Sequence, residues 1–408
     1  MRNVYDVLEE RGFLDTANFP EDLKELLGKE SIVFYIGFDA TADSLTLGHY
    51  STIMAMKHMQ NHGHIPLVLM GGGTTMIGDP SGRNDMRSLM SEEFIDGNVE
   101  KFLEQMARFL DLSEGKAIVD NNKKWLLNLN FVNFMREIGI HFNVNRMLTF
   151  DIYKNRINEG LTFFEMGYML LQSYDFWELY TRYNCKLQMG GSDQWANMLG
   201  GTELVWQKEE EKVYCQTLKL LANSEGVKMG KTMSGAIWLD INKTSGYELF
   251  QYLRNSDDRD VITYLKRLTM IPMEEINELA KLEGKELNKA KEILAYEVVK
   301  DVHGKEEADK ALEAAKALFQ GAGSTENMPS TEIEVSRLEE GLGLLSLLTE
   351  VGLTKSNGEA RRLVQQAGIF IDDKTVEDIN KIITKKDFKD GKLIIRKGKK
   401  VFHQLIIK

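Results

Sequence analysis

Lys228-Met-Gly-Lys-Thr232 carries two lysines and a hydroxyl on a short glycine-containing stretch, a set of residues suited to holding a polyphosphate. Far upstream, Thr46-Leu-Gly-His49 joins a β-rich apolar run over residues 31–38 to a helical pattern through Ile53, Met56 and Met59. A strand that delivers a small residue and a histidine to a helix N-terminus makes an anion site. The free N–H groups and the positive end of the helix dipole point where a phosphate would lie. Taken singly, each segment is a weak signal, because most strand-to-helix junctions bind nothing. Together they imply a nucleotide held between two distant parts of the chain.

Further polar residues fall at spacings that bring them together. Residues 163–183 read as one helix, on which Tyr168 and Gln172 stand at i and i+4 and Asp175 three further on, about the same face. Gly190-Gly-Ser-Asp-Gln-Trp195 sits at a strand-to-helix junction, where glycines permit close backbone approach. Asp79-Pro-Ser-Gly-Arg-Asn-Asp-Met-Arg87 is a polar loop with two arginines and Gly82. His58 and His62 share a helical face, with His64 nearby, but no Cys or acidic cluster accompanies them, so structural roles outweigh metal binding. Cys185 and Cys215 have neither metal-like spacing nor a disulfide framework, which suits a reducing compartment.

The first two segments resemble the HIGH and KMSKS signatures of class I aminoacyl-tRNA synthetases. From about Tyr35 to the C-terminus the chain is similar to the bacterial-type tyrosyl-tRNA synthetases. One departure is plain: Thr46 stands where HIGH has its first histidine. Threonine donates one hydrogen bond but is never cationic, so the triphosphate clamp is expected to lean harder on His49 and the lysines.

The resemblance implies activation of L-tyrosine by ATP, with Mg²⁺, and transfer to tRNA(Tyr), with no other cofactor and no metal-ligating residues. It implies that Thr41, Thr46 and His49 hold phosphates from one side, and Lys228, Lys231 and Thr232 from the other. Arg83 and Arg87 would grip the leaving pyrophosphate. Asp79, Tyr168 and Gln172 match the clamp on the amino acid's ammonium, Gln194 approaches its carboxylate, and Tyr35 with Asp175 reads the phenol hydroxyl. Gly37, Asp39, Gly48, Gly191 and Asp193 match the nucleotide site, Asp193 accepting from ribose hydroxyls. Ile36 occupies a position where relatives often have a ribose-reaching Cys, so some ATP affinity must come from elsewhere. A buried carboxylate waiting for a hydroxyl is left unpaired by phenylalanine. Tyrosyl enzymes are themselves the reference case for that effect, with rejection by about 10⁵-fold without editing. Relatives are homodimers, and the apolar spacing of Phe131, Phe134, Met135 and Ile138 permits an interface near residues 130–150.

The elements that must position these residues alternate between strand and helix. Residues 65–70 form a continuous apolar run into Gly71-Gly-Gly73, 92–110 have helical periodicity, 116–119 read as a strand, and 186–189 precede another helix. Such alternation predicts an α/β fold, a Rossmann-like parallel sheet with helices on both faces and ligands at the strands' carboxyl ends. The expected organisation is a catalytic domain over 1–240, an α-helical anticodon-binding domain over 241–319, a linker over 320–340 and a small α+β RNA-binding domain over 341–408. In the last, Ser356-Asn-Gly-Glu359 is a capping box for a helix bearing Arg361 and Arg362, the residues that would meet tRNA.

Charge supports this division. The chain's net charge is −11, yet residues 341–408 hold 14 Lys and Arg against 8 Asp and Glu, leaving 37 against 54 elsewhere. A basic tail on an acidic body fits a localised polyanion contact. Residues 1–14 carry charge throughout and no apolar run approaches membrane-spanning length, so a cytoplasmic protein with no membrane or DNA partner is expected. Two other readings compete: a class I activator of tryptophan, against which Asp175 argues, and a non-catalytic RNA-binding paralogue, which only Thr46 favours. A dinucleotide-dependent oxidoreductase fails because no G-x-G-x-x-G follows the first strand.

Overall fold

The computed structural model describes residues 2–81, 90–232, 235–320, 330–372, 374–398 and 401–408; Gly82, Arg83 and Arg87 lie outside them. The chain forms two compact units. The first comprises Met1–Lys231, Ala236–Asp240 and Arg259–Lys281, and the second Thr232–Gly235, Ile241–Asp258 and Leu282–Lys408.

The first unit is built on a six-stranded sheet: β1 (Leu14–Ala17), β2 (Val33–Phe38), β3 (Ile65–Met70), β4 (Ile118–Asn121), β5 (Cys185–Gly191) and β6 (Tyr214–Leu218), in the order β1-β6-β5-β2-β3-β4. β1 is antiparallel to β6 and the other pairs are parallel. The central strands read as unbroken apolar runs because helices cover both faces of a parallel sheet. β2 and β3 pair from Val33↔Ile65 to Phe38↔Met70. Strand order reverses at β2, which lies between β5 and β3, so a crevice opens at the carboxyl ends of β2 and β5.

Four helices place the polar residues around that crevice: α1 (Leu47–Asn61), α2 (Glu92–Met106), α3 (Phe163–Tyr183) and α4 (Trp195–Glu209). α3 starts with a reciprocal Thr162–Glu165 capping box and ends where Asn184 adopts φ 50°, a left-handed conformation asparagine tolerates. The strand expected at 116–119 forms instead at Ile118–Asn121, because the Lys116 N–H is taken by Ser113 in a turn. This shift sets Asn122 immediately beyond the strand's carboxyl end.

Helix α5 (Val261–Leu268) belongs to the same unit, although its sequence reads as part of a continuous helical region. The Arg11 guanidinium, 5% exposed, holds its end by donating to the carbonyls of Lys266, Thr269 and Ile271 at 2.9, 2.9 and 2.6 Å.

The second unit contains helices Gly246–Arg254, Leu287–His303 and Lys305–Gln320. It also holds a five-stranded sheet with its own core, including Ile333, Leu344, Leu348, Ile369, Leu393 and Leu405. Ser330–Ile333, read from sequence as linker, is a strand of this sheet and pairs in parallel with Val401–Ile407. Helix Asn357–Gln365 is capped by Ser356, whose hydroxyl accepts the Glu359 N–H.

Candidate active site

A cavity of about 620 Å³ occupies the crevice of the first unit, and most of the residues singled out from sequence line it. It has three chemically distinct parts.

The deep end is built for a hydroxyl. Asp175, 2% exposed on α3, accepts from Asn122 Nδ2 at 2.8 Å and Trp125 Nε1 at 2.7 Å. Burial pushes its carboxyl up to about 8, with the charges of Asp39 and Glu178 adding to the rise and the two donors opposing it. Tyr35, 1% exposed on β2, packs its ring against Phe176 at 5.3 Å. Its hydroxyl is buried and has no hydrogen-bond partner among the described residues. Gln188 on β5 presents an equally unpartnered Oε1. Buried polar atoms left unpaired are costly, and here they line a cavity, so they are complementary to a polar group that arrives there. Sequence reasoning found Tyr35 and Asp175 but missed Asn122, Trp125 and Gln188. Asn122 and Trp125 follow the fourth strand, whose shifted end concealed them, and Gln188 lies within β5, where no local signal marked it.

The middle is acidic. Asp39, just beyond β2, accepts from the Tyr168 hydroxyl at 3.0 Å and from Thr74 Oγ1 at 2.8 Å. Asp79 accepts from Gln194 Nε2 at 2.6 Å and the Ser81 N–H at 2.9 Å. Tyr168 and Gln172 both line the cavity, as their i, i+4 spacing required. Tyr168 is thus tied to Asp39 and Gln194 to Asp79. Two carboxylates with fixed neutral donors make a cradle for one cation.

The outer end gathers the two signatures. His49 on α1 packs between Phe38 and Phe102, with ring centroids 6.2 and 5.8 Å away, and keeps an edge on the cavity. Its Nδ1 accepts the Thr46 N–H at 3.1 Å, which leaves the proton on Nε2. Burial first, then the Lys228 charge, lowers its pKa to about 4. His49 is therefore neutral at physiological pH and offers a hydrogen bond rather than a charge. Thr41, Thr46 and Gly48 line the cavity beside it.

The lysine turn lies directly against α1. Gly230 has φ +82°, and a Cβ there would stand 3.3 Å from Leu47 Cβ and 3.7 Å from the Gly48 nitrogen, so glycine serves both the turn and the close approach. Backbone bonds from Ile237 to Gly230 (2.8 Å) and from Leu47 to Ile237 (3.0 Å) tie the pieces together. Lys228 Nζ is 3.5 Å from Asp193 Oδ2. Lys231 and Thr232 follow in extended backbone. A Cβ on Gly191 would meet Asp193 Oδ1 at 2.6 Å and Leu220 at 3.0 Å, whereas Gly37 faces open space within the cavity.

In the second unit Arg361 and Arg362 are both exposed on helix Asn357–Gln365. His58 is buried, its ring edge-on to Phe13 at 5.9 Å. Among the described residues no helix is long and apolar enough to cross a membrane.

Residues 28–320 match the class I tRNA synthetases (W and Y), and residues 321–405 match the tyrosine–tRNA ligase SYY-like C-terminal domain. The chain is 55% identical to a tyrosine–tRNA ligase of Lachnoclostridium phytofermentans over 98% of each chain. It is 52% identical to a tyrosine–tRNA ligase of Acetivibrio thermocellus over 99% of each. Among solved structures, a C-terminally truncated mitochondrial tyrosyl-tRNA synthetase of Aspergillus nidulans is similar at a TM-score of 0.70 and 28% identity, covering 78% of this chain and 95% of that one.

Proposed function

We propose the following division of labour for this chain, which belongs to the family of class I tyrosyl-tRNA synthetases. It is a tyrosine–tRNA ligase: it activates L-tyrosine with ATP and transfers the tyrosyl group to the terminal ribose of tRNA(Tyr). The observation that carries the residue roles is the buried Asp175 beside an unpartnered Tyr35 hydroxyl at the closed end of the cavity.

The tyrosine phenol enters that end, donating to Asp175 and meeting Tyr35. Its ammonium lies among Asp39, Asp79, Tyr168 and Gln172, and Gln194 orients its carboxylate. That carboxylate is already a competent nucleophile, so no general base is needed. One carboxylate oxygen attacks the α-phosphorus of ATP, the Pα–O bond to the β-phosphate breaks, and pyrophosphate departs. Catalysis is then alignment plus stabilisation of charge on the leaving group. His49 Nε2–H, Thr41 and Thr46 donate from the α1 side, and Lys228, Lys231 and Thr232 from the turn. Arg83 and Arg87 complete the grip on pyrophosphate, and Asp193 with Gly37, Gly48 and Gly191 seats the ribose. Mg²⁺ enters as part of the ATP substrate, held by its phosphates. Lys228 leaves Asp193 as the ribose arrives.

Tyrosine-dependent exchange of labelled pyrophosphate into ATP, without tRNA, tests this reading. Exchange is expected with tyrosine and not with phenylalanine or tryptophan, and Lys228→Ala is expected to slow it about 100-fold. A Lys228 variant exchanging at the wild-type rate would remove the turn from the mechanism.

The enzyme acts in the cytoplasm as a homodimer. Phe131, Val132 and Ile140, within the stretch 131–141, are 65, 61 and 73% exposed, apolar surface that a second copy would cover. Sedimentation at twice the chain mass is the expected result, and a monomer at micromolar concentration would refute it. Helices Gly246–Arg254, Leu287–His303 and Lys305–Gln320 and the basic C-terminal module bind tRNA, with Arg361 and Arg362 on its backbone.

A further inference from the structure

We infer that Arg267 is a positioning residue for the ATP clamp, fixing helix α1 and the segment leading into the lysine turn at one spacing. The inference rests on the catalytic reading above. Arg267 lies on α5, 5% exposed, and its side chain reaches the cavity wall. Nη1 donates to the Leu220 carbonyl at 3.2 Å, and Nη2 donates to Ser51 Oγ at 3.1 Å and to the Lys219 carbonyl. The guanidinium stands 5.4 Å over the Phe13 ring.

A buried cation is expensive unless a charge compensates it. Among the described residues no carboxylate pairs with Arg267, and its Nε is buried with no partner. Burial draws its pKa down to about 10, so it stays cationic at neutral pH. Docking α5 does not require it, because Arg11 already holds three carbonyls at the helix end and the Tyr50 hydroxyl donates to Leu268 at 3.2 Å.

Its acceptors explain its place. Ser51 is two residues beyond His49 on α1. Lys219 and Leu220 lead into Leu221, whose carbonyl accepts the Met229 N–H at 2.7 Å within the lysine turn. One guanidinium thus spans the two halves of the phosphate clamp. Nη2 alone donates to both halves, and Nη1 adds a further bond on the lysine-turn side within one rigid plane. It also sets a fixed positive charge behind the wall that faces the incoming polyphosphate. None of its contacts belongs to the tyrosine end.

The separation is testable by pyrophosphate exchange with the full chain, alongside tyrosine affinity measured by intrinsic fluorescence. Arg267→Met is expected to lower kcat/KM for ATP about 30-fold, from lost charged hydrogen bonds, while tyrosine affinity stays within about twofold. Arg267→Lys should recover part of the loss. Parallel loss of ATP and tyrosine terms would mean a merely structural role and would overturn the inference, as would unchanged ATP kinetics. If Arg267→Met does not fold, Ser51→Ala removes one acceptor gently, and a threefold to tenfold rise in KM for ATP alone, about the worth of one hydrogen bond, is expected. An unchanged KM there overturns it too. Wild-type protein without tyrosine-dependent exchange would instead sink the catalytic reading, so the two failures are distinguishable.

Discussion

Asp175→Ala is expected to lower kcat/KM for tyrosine about 100-fold and to raise it for phenylalanine about tenfold, collapsing the discrimination between them. The tyrosine loss follows from removing a hydrogen bond to a charged group, worth about 1.5–3 kcal/mol. The phenylalanine gain follows because no buried carboxyl is then left unpaired when a bare ring enters. Trp125 Nε1 loses its acceptor in that variant and Asn122 Nδ2 keeps only Thr74 Oγ1, so Asp175→Asn, which retains an oxygen, is the companion if folding suffers.

The wild-type pH profile carries the same information. The Asp175 carboxyl is pushed up to about 8 in the free protein, by burial first and then by the charges of Asp39 and Glu178. Tyrosine donates to the ionised form, so its kcat/KM should climb between pH 7 and 9. Phenylalanine strands that ionised form, so its kcat/KM should fall over the same range. Discrimination that is flat with pH and indifferent to both substitutions would refute the hydroxyl-reading role.

Removing residues 321–408 is expected to reduce aminoacylation of tRNA(Tyr) at least 100-fold while leaving pyrophosphate exchange within about twofold. A basic module that neutralises several phosphates contributes orders of magnitude to RNA affinity at moderate salt, and charging should lose much of its salt dependence with it. The cut belongs at 321 rather than at 341. Ser330–Ile333 is hydrogen-bonded along Gln404–Ile407, and Ile333 and Leu338 sit in the module's core, so the later cut would leave a strand and a helix stranded. The activation cavity lies wholly in the first unit, which is why exchange should survive. Loss of exchange together with charging would show that the tail supports the catalytic fold.

Local pattern alone determined a good deal. The apolar run 65–70 and the helix 163–183 form at those residues, and Ser356 caps its helix as its spacing to Glu359 required. Strand and helix periodicities are properties of neighbours in sequence, so they survive without knowledge of the rest. The i, i+4 placement of Tyr168 and Gln172 on one wall was legible for the same reason. Tertiary structure decided who pairs with whom and in what charge state. Asn122 and Trp125 come to Asp175 from 53 and 50 residues away, Tyr168 to Asp39 from 129, and Gln194 to Asp79 from 115. The neutral form of His49 depends on enclosure by Phe38 and Phe102, and the end of α5 is held in the first unit by Arg11 and Tyr50. Hydrogen-bond partners and pKa shifts arise from burial among residues remote in the chain, and periodicity carries no record of those distances.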